Sequence, residues 1–306
     1  LTQSQDEVLF TTARRAFHAV LNQKVFSHIN GVLSTADTGN RTSKDIAWGI
    51  ANRIGLPEEG KKLPGQKAGN EFEIATTAFL KETFLKLGHL RPGDWVVKKI
   101  GAQDEEEQPL TGKQQEKDLK KLIKIAHYEQ YRHLTAIAEA VRENPELAAS
   151  LGSDYIIKPD IVIFRHLASD DQINAHQPLI DDSIAKLSSL RKSSEGSPLL
   201  HASISCKLTI RSDRSQNARS EALNLIRNRR GKLPHIVVVT GEPLPSRLES
   251  VALGSGDIDC VYHFALPELQ QTVKDLHLAD AEKSVRTMVA GRRLKDIADL
   301  PLDLAV

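Results

Sequence analysis

Cysteine and aromatic side chains are scarce in this chain of 306 residues, net charge is nearly absent, and long apolar runs are missing. Each shortage excludes something. The two cysteines, Cys206 and Cys260, have no paired spacing, so neither a disulfide framework nor a zinc site is expected and both thiols read as core residues. No window holds roughly 18 uncharged apolar residues, the length a membrane span needs. Leu1 to Phe10 carries two acids and no base, which does not fit a signal peptide, and the cytoplasm is the expected location. Gly254-Ser255-Gly256 lacks both the third glycine and the strand-turn-helix frame of a dinucleotide fingerprint, and no Walker sequence occurs. His127 and His133 miss the four-residue zincin spacing. What remains is a chain with 40% hydrophobic residues, able to bury a full core, without repeats or low-complexity tracts. A single domain over 1–306 is expected, with a solvated, charge-crowded insertion at about 101–124.

Charge is nearly balanced overall, 41 basic against 40 acidic residues, but it is unevenly spread. From Ser205 to Lys232 there are eight Lys/Arg (Lys207, Arg211, Arg214, Arg219, Arg227, Arg229, Arg230, Lys232) and only Asp213 and Glu221 as acids. A basic block in an otherwise acidic protein is an electrostatic footprint for a polyanion, although a solvated helix face has the same composition.

Periodicity predicts helices over about Asp6–Lys24, Ser43–Ile54 and Asn70–Leu87, with turn-rich loops at Ser34–Asn40 and Leu63–Gln66. A further helix is expected through Val141. Strands are expected over Tyr155–Phe164, Leu199–Ile210, His235–Thr240 and Asp257–Phe264, a helix over Ser215–Asn228, and helices from Pro267 to Gly291. The pattern implies an α/β architecture, a sheet with helices on either side behind a helical N-terminal region.

In Leu199–Ile210 the alternation puts Leu200, Ala202, Ile204, Cys206, Leu208 and Ile210 on one face, and Ser203, Ser205, Lys207 and Thr209 on the other. A lysine there is ordinary for an edge strand. Upstream, Pro159-Asp160 stands on an otherwise apolar strand, and an acid in that setting asks for a partner. Phosphodiester hydrolysis gives the combination a purpose: carboxylates hold a divalent cation beside the scissile phosphate, and a lysine orients water or stabilises the developing charge. A second carboxylate two residues before the lysine would complete a simple motif. That position is Ser205, so a replacement acid must come from elsewhere.

Between Asp160 and Lys207 lie 46 residues, and between Lys207 and Glu221 lie 13. This spacing resembles the rearranged active site of the CCGG-family restriction endonucleases of the PD-(D/E)XK superfamily, in which a helix glutamate replaces the missing strand carboxylate. The resemblance extends over most of the chain. It includes Leu63-Pro64-Gly65-Gln66, Arg91-Pro92-Gly93-Asp94-Trp95, His201 to Lys207, Ile210-Arg211-Ser212-Asp213-Arg214 and Leu300 to Val306. The charged segment after Ile100 is the main departure.

The resemblance implies a restriction-endonuclease-like fold, a central mixed sheet flanked by helices. It makes Asp160 and Glu221 metal-ligating carboxylates, Lys207 the catalytic lysine, Cys206 a metal ligand through its backbone carbonyl, and Glu73 an additional acid at a second Mg2+. Asn70 and Glu73 also have the spacing of a helix capping box. Arg211, Asp213 and Arg214 become readers of the central CCGG, since arginine pairs bidentately with guanine and aspartate accepts from cytosine N4. Asp37, Gln66 and Arg247, all expected in loops, resemble the residues near a flanking G·C pair. Further implications are a GCCGGC site in double-stranded DNA, 5′ overhangs, two Mg2+ per active site, a homotetramer and a methyltransferase counterpart. A repair or recombination nuclease of the same superfamily would share the metal site without needing the base readers. A non-catalytic DNA-binding module would keep the basic block without needing Asp160, Lys207 and Glu221 together.

Overall fold

The computed structural model describes residues 8–57, 59–60, 63–100, 125–144, 146, 149, 157, 159–254 and 256–306. The charged segment 101–124 lies outside the described residues. In chain order the elements are α1 (Leu9–Lys24), the short pair β1 (His28–Ile29) and β2 (Val32–Leu33), α2 (Arg41–Ile54), α3 (Gly65–Thr83), β3 (Trp95–Lys99), α4 (His133–Glu143), β4 (Ile161–Arg165), α5 (Asp170–Ile173), β5 (Leu199–Lys207) and α6 (Ser212–Asn228). They continue with β6 (His235–Thr240), α7 (Pro245–Ala252), β7 (Cys260–His263), α8 (Leu266–Asp275), α9 (Ala279–Ala290), β8 (Leu294–Asp296) and α10 (Leu300–Asp303).

β3 to β8 form one six-stranded sheet in the order β3-β4-β5-β6-β7-β8. It is mixed: β3 runs antiparallel to β4, and β7 runs parallel to both β6 and β8. The near-continuous apolar runs Ile161–Phe164 and Ile236–Val239 are buried throughout, as strands covered on both faces require. The expected α/β fold, a central mixed sheet flanked by helices, is the fold observed.

The chain divides into two compact units, Leu1–Arg91 with Ile204–Arg219 and Ile236–Val306, and Pro92–Ser203 with Ser220–His235. In the first, Phe17 of α1 meets Phe72 and Phe79 of α3, and the buried His18 bonds the Phe264 carbonyl at 2.7 Å. Arg14 forks onto Glu268 and Asp296, joining α1 to α8 and β8. α2 starts where the Asn40 side chain accepts from the Ser43 N–H at 2.9 Å, and stops at Gly55, whose φ of 97° suits glycine. In the second unit the Gln130 amide bridges both ways to Leu200 of β5, and the Tyr131 hydroxyl donates to the Leu225 carbonyl of α6 at 3.0 Å. The loop after β4 closes around the buried guanidinium of Arg191, which takes the Asp170 carboxylate and the carbonyls of Asp181 and Ile184.

Several local expectations change. β5 has neighbours on both sides, so it is an interior strand and not an edge; His201 and Ser203 on its polar side are buried as well. It ends at Lys207, three residues earlier than its alternation suggests. Asp160 stands just before β4, not within it. Its carbonyl accepts from Ile100 N at 2.9 Å, directly beyond the Lys99–Ile161 pair, so the β3–β4 ladder fixes its backbone. Asn70 and Glu73 lie inside α3, which begins at Gly65; an interior Asn70 caps nothing. Gln66 and Arg247 are in the first turns of α3 and α7 and not in loops, because Pro64-Gly65 and Pro245 mark helix starts as readily as turns. Leu294–Asp296 and Trp95–Lys99 pair into the sheet although neither reads strongly as a strand.

Candidate functional site

The strand-turn-helix β5–α6 carries most of the sequence-predicted residues. Cys206 is buried, leaving its thiol in the core, and Lys207 is half-buried at the strand end. Arg211 follows in the turn, exposed, and Asp213 and Arg214 fall in the first turn of α6. Two turns on, Glu221 is half-buried beside the inward-facing Ala218, Ala222 and Leu225.

Each unit contributes its own candidates. Asp160 and Glu221 belong to the second, and both are half-buried. Glu73, Cys206 and Lys207 belong to the first, where Glu73 is half-buried on α3. Among the described residues no group of three or more His, Cys, Asp or Glu side chains is gathered as a metal site. Carboxylate and carbonyl oxygens are the donors a magnesium ion takes, and it fills the rest of its shell with water, so a two-carboxylate set fits that ion without a third acidic side chain.

The first unit brings recognition candidates together. Asp37, in the turn before α2, forms an ion pair with Arg247 of α7. The Gly39 N–H, at 3.1 Å, and then the Arg247 guanidinium hold the Asp37 carboxyl below the usual carboxylate range, and the Arg211 charge acts in the same direction. Arg211, Asp37 and Arg247 therefore share one electrostatic environment. Gln66 is exposed at the start of α3.

One participant has no counterpart among the sequence-predicted residues. Glu242 is fully buried, its carboxylate lies 3.8 Å from the second guanidinium nitrogen of Arg247, and burial pushes its pKa up. Its only sequence signal is an acid directly after the apolar strand His235–Thr240, between Gly241 and Pro243, which reads as a turn residue.

Residues 17–306 match the family described as NgoMIV restriction enzyme. The chain belongs to that family. It is 53% identical over 300 residues, 97% of its own length and 99% of the relative's, to the type II restriction enzyme NgoMIV of Neisseria gonorrhoeae. The chain is accordingly a type II restriction endonuclease, a hydrolase acting on DNA, and enzymes of this type generally use a divalent metal. No helix among the described residues is long and apolar enough to cross a membrane.

Proposed function

We propose that this NgoMIV-family endonuclease hydrolyses double-stranded DNA at GCCGGC, with Mg2+ as cofactor, leaving 5′ overhangs. Asp160 and Glu221 hold the metal through their carboxylates and Cys206 through its backbone carbonyl, while Glu73 serves a second ion through water. Bound there, Mg2+ would supply a water of lowered pKa and neutralise charge on the phosphate. Lys207 presents its ammonium to the attacking water or to a phosphoryl oxygen, where a fixed cation favours the more highly charged transition state.

Arg211, Asp213 and Arg214 read the central CCGG from the major groove. A pair of such clusters related by a two-fold axis matches C·G steps and is poorly matched to A·T. Asp37 and Arg247 read the flanking pair and Gln66 approaches it from the minor groove. The observation that best supports the recognition half of this reading is the Asp37–Arg247 ion pair within the field of Arg211, an acceptor and two bidentate donors in one environment. In the cell the enzyme works in the cytoplasm as a homotetramer, opposite a methyltransferase that protects the same site.

Incubating the protein with plasmid DNA, with and without magnesium, and sequencing the ends tests the proposal. Discrete 5′-extended ends at GCCGGC, formed only with the metal, are expected. Scattered ends would mean a nonspecific or structure-directed nuclease, and intact DNA with a mobility shift would mean binding alone.

A further inference from the structure

We propose that Glu242, working with Thr240, is a positioning residue that locks the turn carrying Arg211, the helix carrying Arg247 and the end of the strand carrying Lys207 into one rigid body, so that base recognition and catalysis share a single buried anchor. The inference rests on the reader assignment above and adds residues that contact no base.

Every polar atom of Glu242 is engaged. One carboxylate oxygen accepts from Ile210 N at 2.7 Å, immediately before Arg211. The other accepts from Leu244 N at 3.0 Å, at the start of α7. Its own N–H donates to Thr240 Oγ1 at 3.1 Å, and its carbonyl lies 3.1 Å from His263 Nε2. Thr240 Oγ1 in turn donates to the Lys207 carbonyl at 2.6 Å. Gly241 makes the approach possible, because a Cβ there would sit 3.0 Å from the Leu208 carbonyl oxygen.

Two segments that meet no regular ladder, Leu208–Arg211 and Gly241–Leu244, are thus tied by one side chain. A carboxylate is the group this geometry selects, since it accepts on both oxygens whereas an amide must offer N–H on one side. Replacing it leaves a backbone donor unmatched beside the fully buried Ile210 and removes the negative charge facing Arg247. Burying a lone acid is costly, and the packing of this site would be served better by an apolar residue unless the connection itself were needed.

The test compares wild type, Glu242→Gln, Asp37→Asn and the double variant on cognate duplex, a duplex altered at the outer pair and one altered at an inner pair. Glu242→Gln is expected to relax kcat/KM discrimination at both pairs by roughly tenfold. It should add nothing at the outer pair once Asp37 is changed, because both act through Arg247. A lowered Tm with both discrimination ratios intact, or additive effects in the cycle, overturns the proposal. If Asp37→Asn leaves the outer ratio unchanged, the reader assignment fails instead, and Glu242 is then judged by the inner ratio alone, an unchanged value refuting it. Should Glu242→Gln not fold, the near-isosteric Thr240→Val takes its place. It is expected to lower kcat and relax discrimination while Thr240→Ser restores both, and wild-type values for Thr240→Val refute the proposal.

Discussion

Asp37 and Arg247 are 210 positions apart in sequence, yet they form an ion pair in the free protein, with the buried Glu242 on the other side of the same guanidinium. Arginine and aspartate are the pair of side chains that together match a G·C pair, one on guanine and one on cytosine. Pre-pairing lowers the cost of orienting the arginine when DNA arrives, because less side-chain freedom is lost on binding. Arg247→Ala is therefore expected to reduce discrimination at the outer pair by roughly tenfold or more while leaving discrimination at the central CCGG close to wild type. Cleavage of duplexes substituted at each position, measured as kcat/KM, separates the two. Equal loss at every position would make Arg247 a general binding residue.

Catalysis should depend on two carboxylates in different ways from binding. Asp160→Ala is expected to abolish cleavage and preserve specific binding, since the role proposed for its carboxylate is to hold metal and not to contact a base. Residual cutting within about tenfold of wild type would remove Asp160 from the site.

Because Ser205 occupies the position where a strand carboxylate would stand, Glu221→Ala should be inactive as well. Ser205→Glu combined with Glu221→Ala is expected to regain measurable activity, as β5 keeps position 205 half-exposed two residues before Lys207. An active Glu221→Ala enzyme, assayed under single-turnover conditions, would show that the carboxylate has not moved to the helix.

Assembly has its own signature. A palindrome needs two catalytic centres related by a two-fold axis, and a tetramer of two dimers holds two sites at once. A plasmid with two GCCGGC sites should then be cut concertedly and faster than a one-site plasmid, because the second site binds at high effective concentration. A short cognate duplex should accelerate cutting of the one-site plasmid. Equal rates, with a dimer mass by light scattering in the presence of DNA, would leave a dimeric enzyme.

The buried His263 predicts a pH dependence of stability. Its Nδ1 accepts from Ala265 N at 3.1 Å and its Nε2 meets the Glu242 carbonyl, so the ring is held neutral; burial lowers its pKa from 6.5 to about 4. A depressed folded value means that the unfolded chain binds the extra proton. Its contribution is complete above about pH 6.5 and is lost as pH falls towards 4, amounting to about 3 kcal/mol across that window. Glu242, raised by burial, contributes with the opposite sign, and His18, also lowered by burial, with the same sign. The informative quantity is thus the difference in slope between wild type and His263→Gln in urea melts from pH 7 to pH 5. Identical slopes would mean that His263 is not held neutral.

Local sequence determined the parts of this protein that depend on neighbours along the chain. The alternation of Leu199–Lys207 and the helical periodicity of α1, α2 and α6 mark their elements by period, and the apolar runs Ile161–Phe164 and His235–Thr240 mark theirs by short, unbroken β-branched character. The spacing of Asp160, Lys207 and Glu221 points to the family by resemblance, and the role proposed for each residue is what the Asp160 and Glu221 variants test. Tertiary structure alone decided the rest. β5 became an interior strand because β4 and β6 flank it, Gln66 and Arg247 became helix-start residues, and Trp95–Lys99 became a strand by pairing with β4. Glu242 shows the reason most clearly. An acid between Gly241 and Pro243 reads as solvated, and it is the convergence of Ile210 N, from 32 positions away, with Leu244 N and Arg247 at the start of α7 that compensates the carboxylate for leaving water.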